Sequence, residues 1–242
     1  MSENKKIAIV GCSDSKDLAP WKDESWEIWG VNNLFISMKQ EIDIKRMRWF
    51  EIHNITFDGK NFYRRGDLIF RGQSVNDYIK GLISLGCPVY MQKKWDQIPN
   101  SVEYPIKEIL QSMGGYFTNT ISYEIALAIY EGATEIGIWG VDMAVGTEYA
   151  HQRPSCEYFL GVAKGLGINI FVPAEADLLK TRFLYGFQEQ EKTAWEKKVN
   201  KMMASMHQRM IDAENQERQS FMKKQQYIGA LEAAKELNKI WG

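Results

Sequence analysis

The sequence is poor in the residues that build disulfide frameworks, metal knuckles and membrane spans. Its 242 residues include three cysteines, Cys12, Cys87 and Cys156, and three histidines. Cysteines spaced this widely form neither a disulfide framework nor a CxxC metal site, so we expect a reducing, cytoplasmic compartment. No apolar run approaches the roughly 20 residues that cross a bilayer, and the first residues do not resemble a signal peptide. We therefore expect no membrane segment.

An excess of charge of one sign is also absent. Lys plus Arg is 30 and Asp plus Glu is 31, which gives a formal net charge of −1. This balance gives no electrostatic reason to expect a nucleic-acid partner. The sequence also lacks HExxH, DxD and paired cysteines, so we expect no metal site. With 45% hydrophobic and 25% charged residues, the composition is that of a soluble folded chain.

Short apolar runs alternate with amphipathic stretches over residues 1–185. This alternation predicts an α/β domain that is Rossmann-like, with a mostly parallel sheet and helices on both faces. We predict strands at Lys6–Val10, Trp26–Val31, Arg48–His53, Pro88–Gln92, Glu135–Val141 and Ile168–Val172. We predict helices at Val75–Leu85, Pro105–Met113, Thr120–Tyr130 and Cys156–Leu166.

The composition changes in residues 186–242, which we predict to be a helical, coiled-coil-like extension. Glu189–Tyr227 contains neither Pro nor Gly, and its apolar residues recur at spacings of three and four. Gly229 permits a break before a last helical stretch, Ala230–Ile240. We expect the apolar seam to join copies of the chain in a homo-oligomer. The seam consists of Trp195, Val199, Met202, Met206, Met210 and Ala213.

An irregular segment, Asp58–Gly72, interrupts the strand–helix alternation. It contains glycines and three arginines, Arg64, Arg65 and Arg71. An ordinary excursion or hairpin is one interpretation of this segment. A basic flap over an anionic ligand is the other.

Small polar residues follow the first two predicted strands. In open α/β sheets, ligands bind beyond the carboxyl ends of the strands. Gly11, Ser13 and Ser15 belong to a turn whose backbone amides and hydroxyls suit a phosphate or a ribose. Asn32 and Asn33 carry carboxamides suited to a base or sugar edge. The spacing fits neither GxGxxG nor the Walker A motif, so these residues predict a nucleotide site without a standard fingerprint.

Titratable side chains follow the later strands. Glu51 and His53 lie on one side of the third predicted strand because side chains alternate along a strand. Asp142 ends the fifth strand, with His151 and Arg153 downstream. A histidine near its ordinary pKa of about 6.5 can act as a general base at neutral pH. We therefore take Glu51, His53 and His151 as candidate catalytic residues.

Three runs of the sequence resemble the family 42 sialyltransferases. They are IAIVGCSDSKDLAPWKDESWEIWGVNNLF (Ile7–Phe35), AIYEGATEIGIWGVDMAVGTEYAH (Ala128–His151) and GLGINIFVPAEADLL (Gly165–Leu179). The same outline is shared by Rossmann-like proteins related to archaeal hydroxymethylpterin diphosphokinases and by uncharacterised bacteriophage proteins. If the chain is phage-encoded, the expected compartment is the host cytoplasm.

The sialyltransferase resemblance implies a CMP-sugar donor, no metal and a histidine general base. His151 lies in the region where the family places that base, and Tyr149 matches a tyrosine that contacts phosphate. Arg153 and the loop amides would neutralise the leaving phosphate. Other implied nucleotide-binding positions are Gly11, Ser15, Asn32, Asp142 and Thr120, the last within the Thr-Asn-Thr that replaces the family's Ser-Gly.

The leading hypothesis is a nucleotide-dependent, metal-independent transferase that resembles glycosyltransferases. It would use a nucleotide-sugar donor as substrate, no further cofactor, and His151 as general base. One alternative is a nucleotide or signal-molecule binding protein without turnover. Cys12 and Met143 favour it, because they replace an asparagine and an aromatic residue of the family. Another is phosphoryl transfer to a pterin-like or nucleoside substrate, with Asp142 and Glu51 holding Mg²⁺.

Overall fold

A seven-stranded parallel sheet lies at the centre of the computed structural model. Its strand order is β7-β6-β3-β2-β1-β8-β9, and each neighbouring pair is parallel. The strands of the described residues are β1 (Lys6–Val10), β2 (Trp26–Val31), β3 (Met47–Glu51), β4 (Ile55–Phe57), β5 (Phe62–Arg64), β6 (Val89–Met91), β7 (Ser101–Glu103), β8 (Glu135–Trp139) and β9 (Asn169–Phe171). The α-helices are α1 (Leu34–Ser37), α2 (Val75–Ser84), α3 (Ile106–Met113), α4 (Thr120–Tyr130), α5 (Arg153–Gly165) and α6 (Lys192–Trp241).

The chain divides into two compact units, Met1–Lys180 and Thr181–Gly242. The structure describes residues 4–38, 43–64, 74–143, 148–181, 185–187 and 192–241, with the backbone alone for 148, 149, 192–198 and 241.

Both faces of the sheet are apolar, and helices cover both. Ile7 and Ile9 of β1 belong to the core that α3, α4 and α5 cover. Ala8 and Val10 point the other way, into the core that α2 covers. This alternation along one strand is what a parallel sheet buried on both sides requires. The predicted α/β class, with a mostly parallel sheet and a long C-terminal helix, is confirmed.

The predicted bounds are matched for some elements and displaced for others. The strands β1 and β2 and the helix α4 have the predicted bounds. The predicted strand Arg48–His53 is displaced and shorter, because β3 ends at Glu51. The sequence did not predict β7, whose three residues, Ser-Val-Glu, are too few to show a period.

The hairpin interpretation of the irregular segment is confirmed over its described part. β4 and β5 pair in antiparallel fashion. Asp58 holds the turn, since its Oδ1 accepts hydrogen bonds from the backbone N–H groups of Lys60 (2.8 Å) and Asn61 (2.7 Å). The segment 65–73 lies outside the described residues, and with it the predicted flap residues Arg65 and Arg71.

The second unit contains one continuous helix, α6, of 50 residues. The predicted break at Gly229 is wrong, because α6 passes through this residue. A glycine costs a helix interior only about 1 kcal/mol, which flanking turns can offset. The seam residues Met202, Met206 and Met210 are 50–55% exposed. Among the described residues, no helix is long and apolar enough to cross a membrane.

Candidate functional site

The sheet reverses its winding between β1 and β8. From β1 the chain proceeds to β2 and β3 on one side, whereas β8 and β9 lie on the other side. In open α/β sheets, ligands bind in the crevice beyond the carboxyl ends of the strands at such a switch point. The loops that follow β1 and β8 are therefore the first place to look for a site.

Two glycines bring these loops into backbone contact. Gly11 donates its N–H to Trp139 O (2.8 Å), and Ser13 donates to Gly140 O (2.9 Å). A Cβ on Gly11 would lie 2.4 Å from Gly140 O, and a Cβ on Gly140 would lie 2.3 Å from Gly11 O. Gly140 also has a φ of 64°. Both positions therefore require glycine, which leaves the crevice floor as bare backbone.

Ser15 ties the same two loops together through its side chain. Its hydroxyl donates to Asp142 Oδ1 at 2.6 Å and accepts from the backbone N–H of Gly140 at 2.8 Å. Asp142 is fixed further by its carbonyl oxygen, which accepts from Asp177 N (2.9 Å). The predicted nucleotide ligand Ser15 is buried, so its evident task is to position Asp142.

Asn32 and Asn33 place carboxamides beside the loop after β1. Asn32 has a φ of 47°, a left-handed conformation that asparagine tolerates. Its backbone is fixed on both sides, by Phe50 O (3.0 Å) and by the indole N–H of Trp49 (2.8 Å). The Asn32 Oδ1 atom is buried and has no hydrogen-bond partner among the described residues. Asn33 Oδ1 accepts from Cys12 Sγ at 3.4 Å.

The helices on the β8 side begin at the same edge of the sheet. Thr120 and Arg153 are the first residues of α4 and α5, and Asn119 Nδ2 joins the two starts by donating to Gln152 O (2.7 Å). Exposed His151 precedes α5 by two residues. The sequence-predicted residues on this side therefore lie at the carboxyl edge, as do Ser13 and Asn32.

The side chain of Arg153 is already held by contacts within the first unit, Met1–Lys180. Its Nε lies 2.7 Å from Glu157 Oε1, and its Nη2 donates to Lys180 O at 2.7 Å. The remaining Nη1 is buried without a hydrogen-bond partner in the part of the chain that the structure describes. The side chain of the predicted phosphate ligand Tyr149 lies outside that part.

A buried ionic cluster lies at the end of β3. Glu51 is fully buried, and His53 Nδ1 lies 2.6 Å from its Oε1. The Tyr78 hydroxyl donates to the other oxygen, Oε2. Arg64 of β5, 4% exposed, has its Nε 3.5 Å from Glu51 Oε1, and its Nη2 contacts His53 Nδ1. A residue just after β3, one on β5 and one on α2 thus all contact the carboxylate of Glu51.

The cluster keeps Glu51 ionised. Burial raises the pKa of this carboxyl, but the hydrogen bond from His53 and the charge of Arg64 outweigh burial and leave the pKa below its ordinary value. Burial and Glu51 raise the pKa of Tyr78, so the phenol keeps its proton. Glu51 Oε1 favours a proton on His53 Nδ1, whereas Arg64 Nη2, which can only donate, favours an unprotonated Nδ1. With the proton on Nδ1, the other ring nitrogen, Nε2, is the basic one in neutral His53.

A cavity of about 420 Å³ opens beside His53, beyond the ends of β3 and β6. Its size lies in the range of small-molecule sites, roughly 300–1,000 Å³. The imidazole is partly accessible, with 35% of its side chain exposed. The polar and aromatic lining comprises His53, Asn54, Thr56, Phe57, Gln92, Lys93 and Trp95, and Ile55 and Met91 complete it.

A second glutamate is fully buried on the opposite face of the sheet. Glu124 of α4 is 0% exposed, and neither of its carboxyl oxygens has a hydrogen-bond partner among the described residues. Burial raises the pKa of Glu124 well above its ordinary value. The neutral acid is therefore the favoured form.

Sequence reasoning found part of the β3 cluster and missed the rest. The spacing of Glu51 and His53 placed them on one side of a strand, and the structure brings them into contact. Tyr78 was missed because only its position on the apolar stripe of α2 marked it. Arg64 was recognised as part of a basic segment but not as a partner of Glu51. Among the described residues, no group of three or more His, Cys, Asp or Glu side chains could hold a metal ion.

No known protein-family model matches the sequence, and no curated protein matches it. Three solved sialyltransferase structures are similar in fold. The sialyltransferase CstII from Campylobacter jejuni with the substrate analogue CMP-3FNeuAc is 14% identical, with a TM-score of 0.45, over 69% of this chain and 79% of that one. CstII with cytidine-5'-monophosphate is 13% identical (TM-score 0.42; 71% and 81% covered). CST-II with a trisaccharide acceptor and CMP is 12% identical (0.41; 69% and 80%). Likenesses at this level assign no residue of this chain a role.

Proposed function

We propose that the protein is a nucleotide-dependent transferase of the glycosyltransferase type that takes a nucleotide sugar as donor. The observation that supports it is the convergence of the loops after β1, β2 and β8 at the switch point of the sheet. A bare glycine floor, a carboxylate at Asp142 and an Asn32 Oδ1 with no hydrogen-bond partner in the described part of the chain lie there together. These groups suit a ligand that offers both phosphate and hydroxyl groups.

In this proposal the donor's phosphate lies over the bare backbone of Gly11 and Gly140, whose loops the N–H groups of Gly11 and Ser13 hold together. Asn32 and Asn33 accept from or donate to the base or the sugar, and Asp142, held by Ser15, accepts from ribose hydroxyls. Negative charge at the phosphate suits the starts of α4 and α5, which carry Thr120 and Arg153, because backbone N–H groups point outward there.

Transfer breaks the bond between the anomeric carbon and the phosphate oxygen and forms a bond from the acceptor oxygen to that carbon. The acceptor proton passes to a general base, for which His151 is the prediction that follows from the resemblance. Arg153, Tyr149 and the loop amides would offset the charge on the departing phosphate. Metal independence is part of the same proposal.

Ligand-induced stabilisation tests the donor site directly. Thermal unfolding is measured with CMP, UDP, GDP, ADP and their sugars, because a ligand at 100 times its Kd stabilises the folded state by about 2.7 kcal/mol. We expect one nucleotide to stabilise the wild type and to lose most of that effect in Asn32→Ala. The matched control is Asn61→Ala, in the turn between β4 and β5. If no nucleotide or nucleotide sugar stabilised the protein against thermal unfolding, the proposed donor site would be wrong.

Donor consumption then separates an enzyme from a binding protein. The nucleotide sugar of the best nucleotide is incubated with the protein, with and without EDTA, and release of the free nucleotide is followed. Release that persists in EDTA supports a metal-independent transferase. Binding without release supports the alternative, a nucleotide or signal-molecule binding protein. Release that EDTA abolishes contradicts metal independence.

We also propose that α6 joins copies of the chain into a homo-oligomer. The exposed methionines of the seam, Met202, Met206 and Met210, are the supporting observation, because apolar residues at spacings of three and four form coiled-coil contacts. Light scattering of the eluting full chain should give a multiple of 28.0 kDa. Met206→Lys should reduce the mass, whereas the control Gln208→Lys should not. A wild-type monomer would contradict this proposal.

A further inference from the structure

We propose that His53, oriented by Glu51, is the group that takes the acceptor's proton, and that the cavity beside it binds a carbohydrate acceptor. This inference rests on the transferase proposal and moves its general base from His151 to a different strand. It concerns the second substrate, which the donor site at the switch point leaves without a place.

The first argument is orientation of the imidazole. A catalytic base works best when a third group fixes its ring and its tautomer. His53 has such a group in Glu51, through the 2.6 Å contact at Nδ1 and a second contact from its own backbone N–H to Glu51 Oε1 at 3.1 Å. The carboxylate is itself held by Tyr78 and Arg64.

The second argument is access. Glu51 is completely buried, so it touches no substrate and acts as a positioning residue. His53 lines the 420 Å³ cavity. A buried acid behind a partly exposed histidine is the arrangement that delivers a basic nitrogen to a bound ligand while keeping the acid from water.

The third argument is the chemistry of the cavity. Asn54 and Gln92 contribute carboxamides, Thr56 a hydroxyl, and Trp95 an indole ring. Lys93 lies 4.1 Å from the centre of that ring, which adds positive charge at the rim. Polar side chains beside the aromatic rings of Trp95 and Phe57 suit a polyhydroxylated ring, because such a ligand needs many hydrogen bonds and also has an apolar face.

The fourth argument is distance along the sheet edge. β3 is two strands from β1, and adjacent strands lie about 4.8 Å apart, so the ends of β1 and β3 are roughly 10 Å apart. A donor whose phosphate lies at the end of β1 would reach towards β3 with its sugar. The acceptor oxygen would form its bond to the anomeric carbon there while its proton moves to His53 Nε2, and the phosphate would leave with the electrons of the broken bond.

The tautomer of His53 tests the orientation without any substrate. In ¹⁵N-labelled protein, the nitrogen shifts of neutral imidazoles report which ring nitrogen carries the proton. We expect the Nδ1–H form for His53, and His151 and His207 serve as internal references. Glu51→Gln should lower the Nδ1–H share of His53 severalfold. A wild-type His53 in the Nε2–H form would overturn the inference, whether or not the variant folds.

Turnover distinguishes this inference from the transferase proposal. Nucleotide release from the best donor is measured with carbohydrate acceptors of increasing size, and nucleotide binding is measured alongside. His53→Gln should reduce acceptor-dependent release by about 10²–10⁴-fold and should change the nucleotide Kd less than about threefold. His151→Gln is the variant of the competing base, and His207→Gln on α6 is the control that should retain most of the release.

These measurements distinguish a failure of the inference from a failure of the transferase proposal. If His151→Gln abolishes release and His53→Gln does not, the inference is wrong and the transferase proposal stands with its original base. If the wild type neither binds a nucleotide nor releases one, the transferase proposal itself fails. If His53→Gln and His151→Gln both keep full release of the nucleotide, His53 is not the base.

Discussion

The two faces of the sheet each bury one glutamate completely, and the two carboxyl groups behave in opposite ways. Glu51 has contacts from His53, Tyr78 and Arg64, and its pKa is lowered. Glu124 has no hydrogen-bond partner among the described residues, and its pKa is raised. Equal burial therefore gives an anion on one face and a neutral acid on the other.

The contrast teaches that partners, rather than depth, decide what a buried carboxyl can do. A buried anion with three partners can polarise a neighbouring histidine, which is a chemical use. A buried neutral acid without partners costs stability, because it has lost its hydrogen bonds to water without replacement. The face that α2 covers is therefore the one on which we place chemistry.

Removing the partnered carboxylate should have the largest effect. Glu51→Ala removes the carboxylate that His53, Tyr78 and Arg64 contact, and breaking a buried ion pair costs about 3–5 kcal/mol. Urea unfolding followed by circular dichroism measures the loss. Glu236→Ala removes an exposed carboxylate that pairs with Lys239 and should cost under about 1 kcal/mol. A similar cost for the two variants would contradict the cluster.

Removing one hydrogen bond from the same carboxylate should cost less. Tyr78→Phe keeps the ring and deletes the hydroxyl that donates to Glu51, and a buried hydrogen bond to a charged group is worth about 1.5–3 kcal/mol. The same unfolding assay applies. Tyr63→Phe deletes an exposed hydroxyl that donates to Asp58 and should change stability by less than about 1 kcal/mol. Indistinguishable variants would argue against an anionic Glu51.

On the other face, removing the carboxyl should stabilise the protein. Glu124→Leu exchanges an unpartnered polar group for an apolar one of similar size, which should recover about 1–3 kcal/mol at pH 7. Thermal unfolding gives the sign directly. Glu108→Leu, on the exposed side of α3, is the control and should be nearly neutral. Destabilisation by Glu124→Leu would mean that its carboxyl has a partner.

The smallest change for one step of a measurement, and the sharpest test of the comparison, is the change in the free energy of unfolding per pH unit. The folded pKa of Glu124 lies above its unfolded value of about 4.5, so folded protein binds the extra proton and stability falls as pH rises above about 4.5, by up to about 1.4 kcal/mol per pH unit. The folded pKa of Glu51 lies below that value, so its contribution is lost as pH falls through the folded pKa.

Variants of the two glutamates should remove the two pH dependences of stability separately. Glu124→Gln should flatten the decline above pH 4.5, and Glu51→Gln should flatten the decline on the acid side, as read from urea unfolding between pH 3 and pH 8. If both variants changed the same side of the profile, the assignment of opposite charge states would be wrong.

Sequence patterns predicted the fold well where an element was long enough to show a period. The apolar run of β1 and the near-continuous apolar surface of α4 left little freedom in their bounds. β7 and α1, of three and four residues, exist because neighbouring elements stabilise them, and no local pattern records that. Gly229 misled the prediction because helix propagation tolerates one glycine.

For the site, adjacent strand ends were predictable and long-range partners were not. Alternation placed Glu51 with His53, and the sheet rule placed Asn32 and Asp142 at one edge. Neither rule shows that Arg64 reaches back to Glu51 from a hairpin. That contact depends on how the hairpin packs on the sheet, which three-residue strands do not encode locally.

Because Gly11 and Gly140 are in contact, a substitution at either residue would disturb both loops, although the loops are distant in the sequence. Alanine at either position would push its neighbour's carbonyl away, and the shift would travel to Ser13 on one loop and Asp142 on the other. An engineer who wishes to change the specificity of the proposed nucleotide site should therefore keep this pair fixed and vary Asn33, because Asn32 has a φ of 47° that few other residues tolerate.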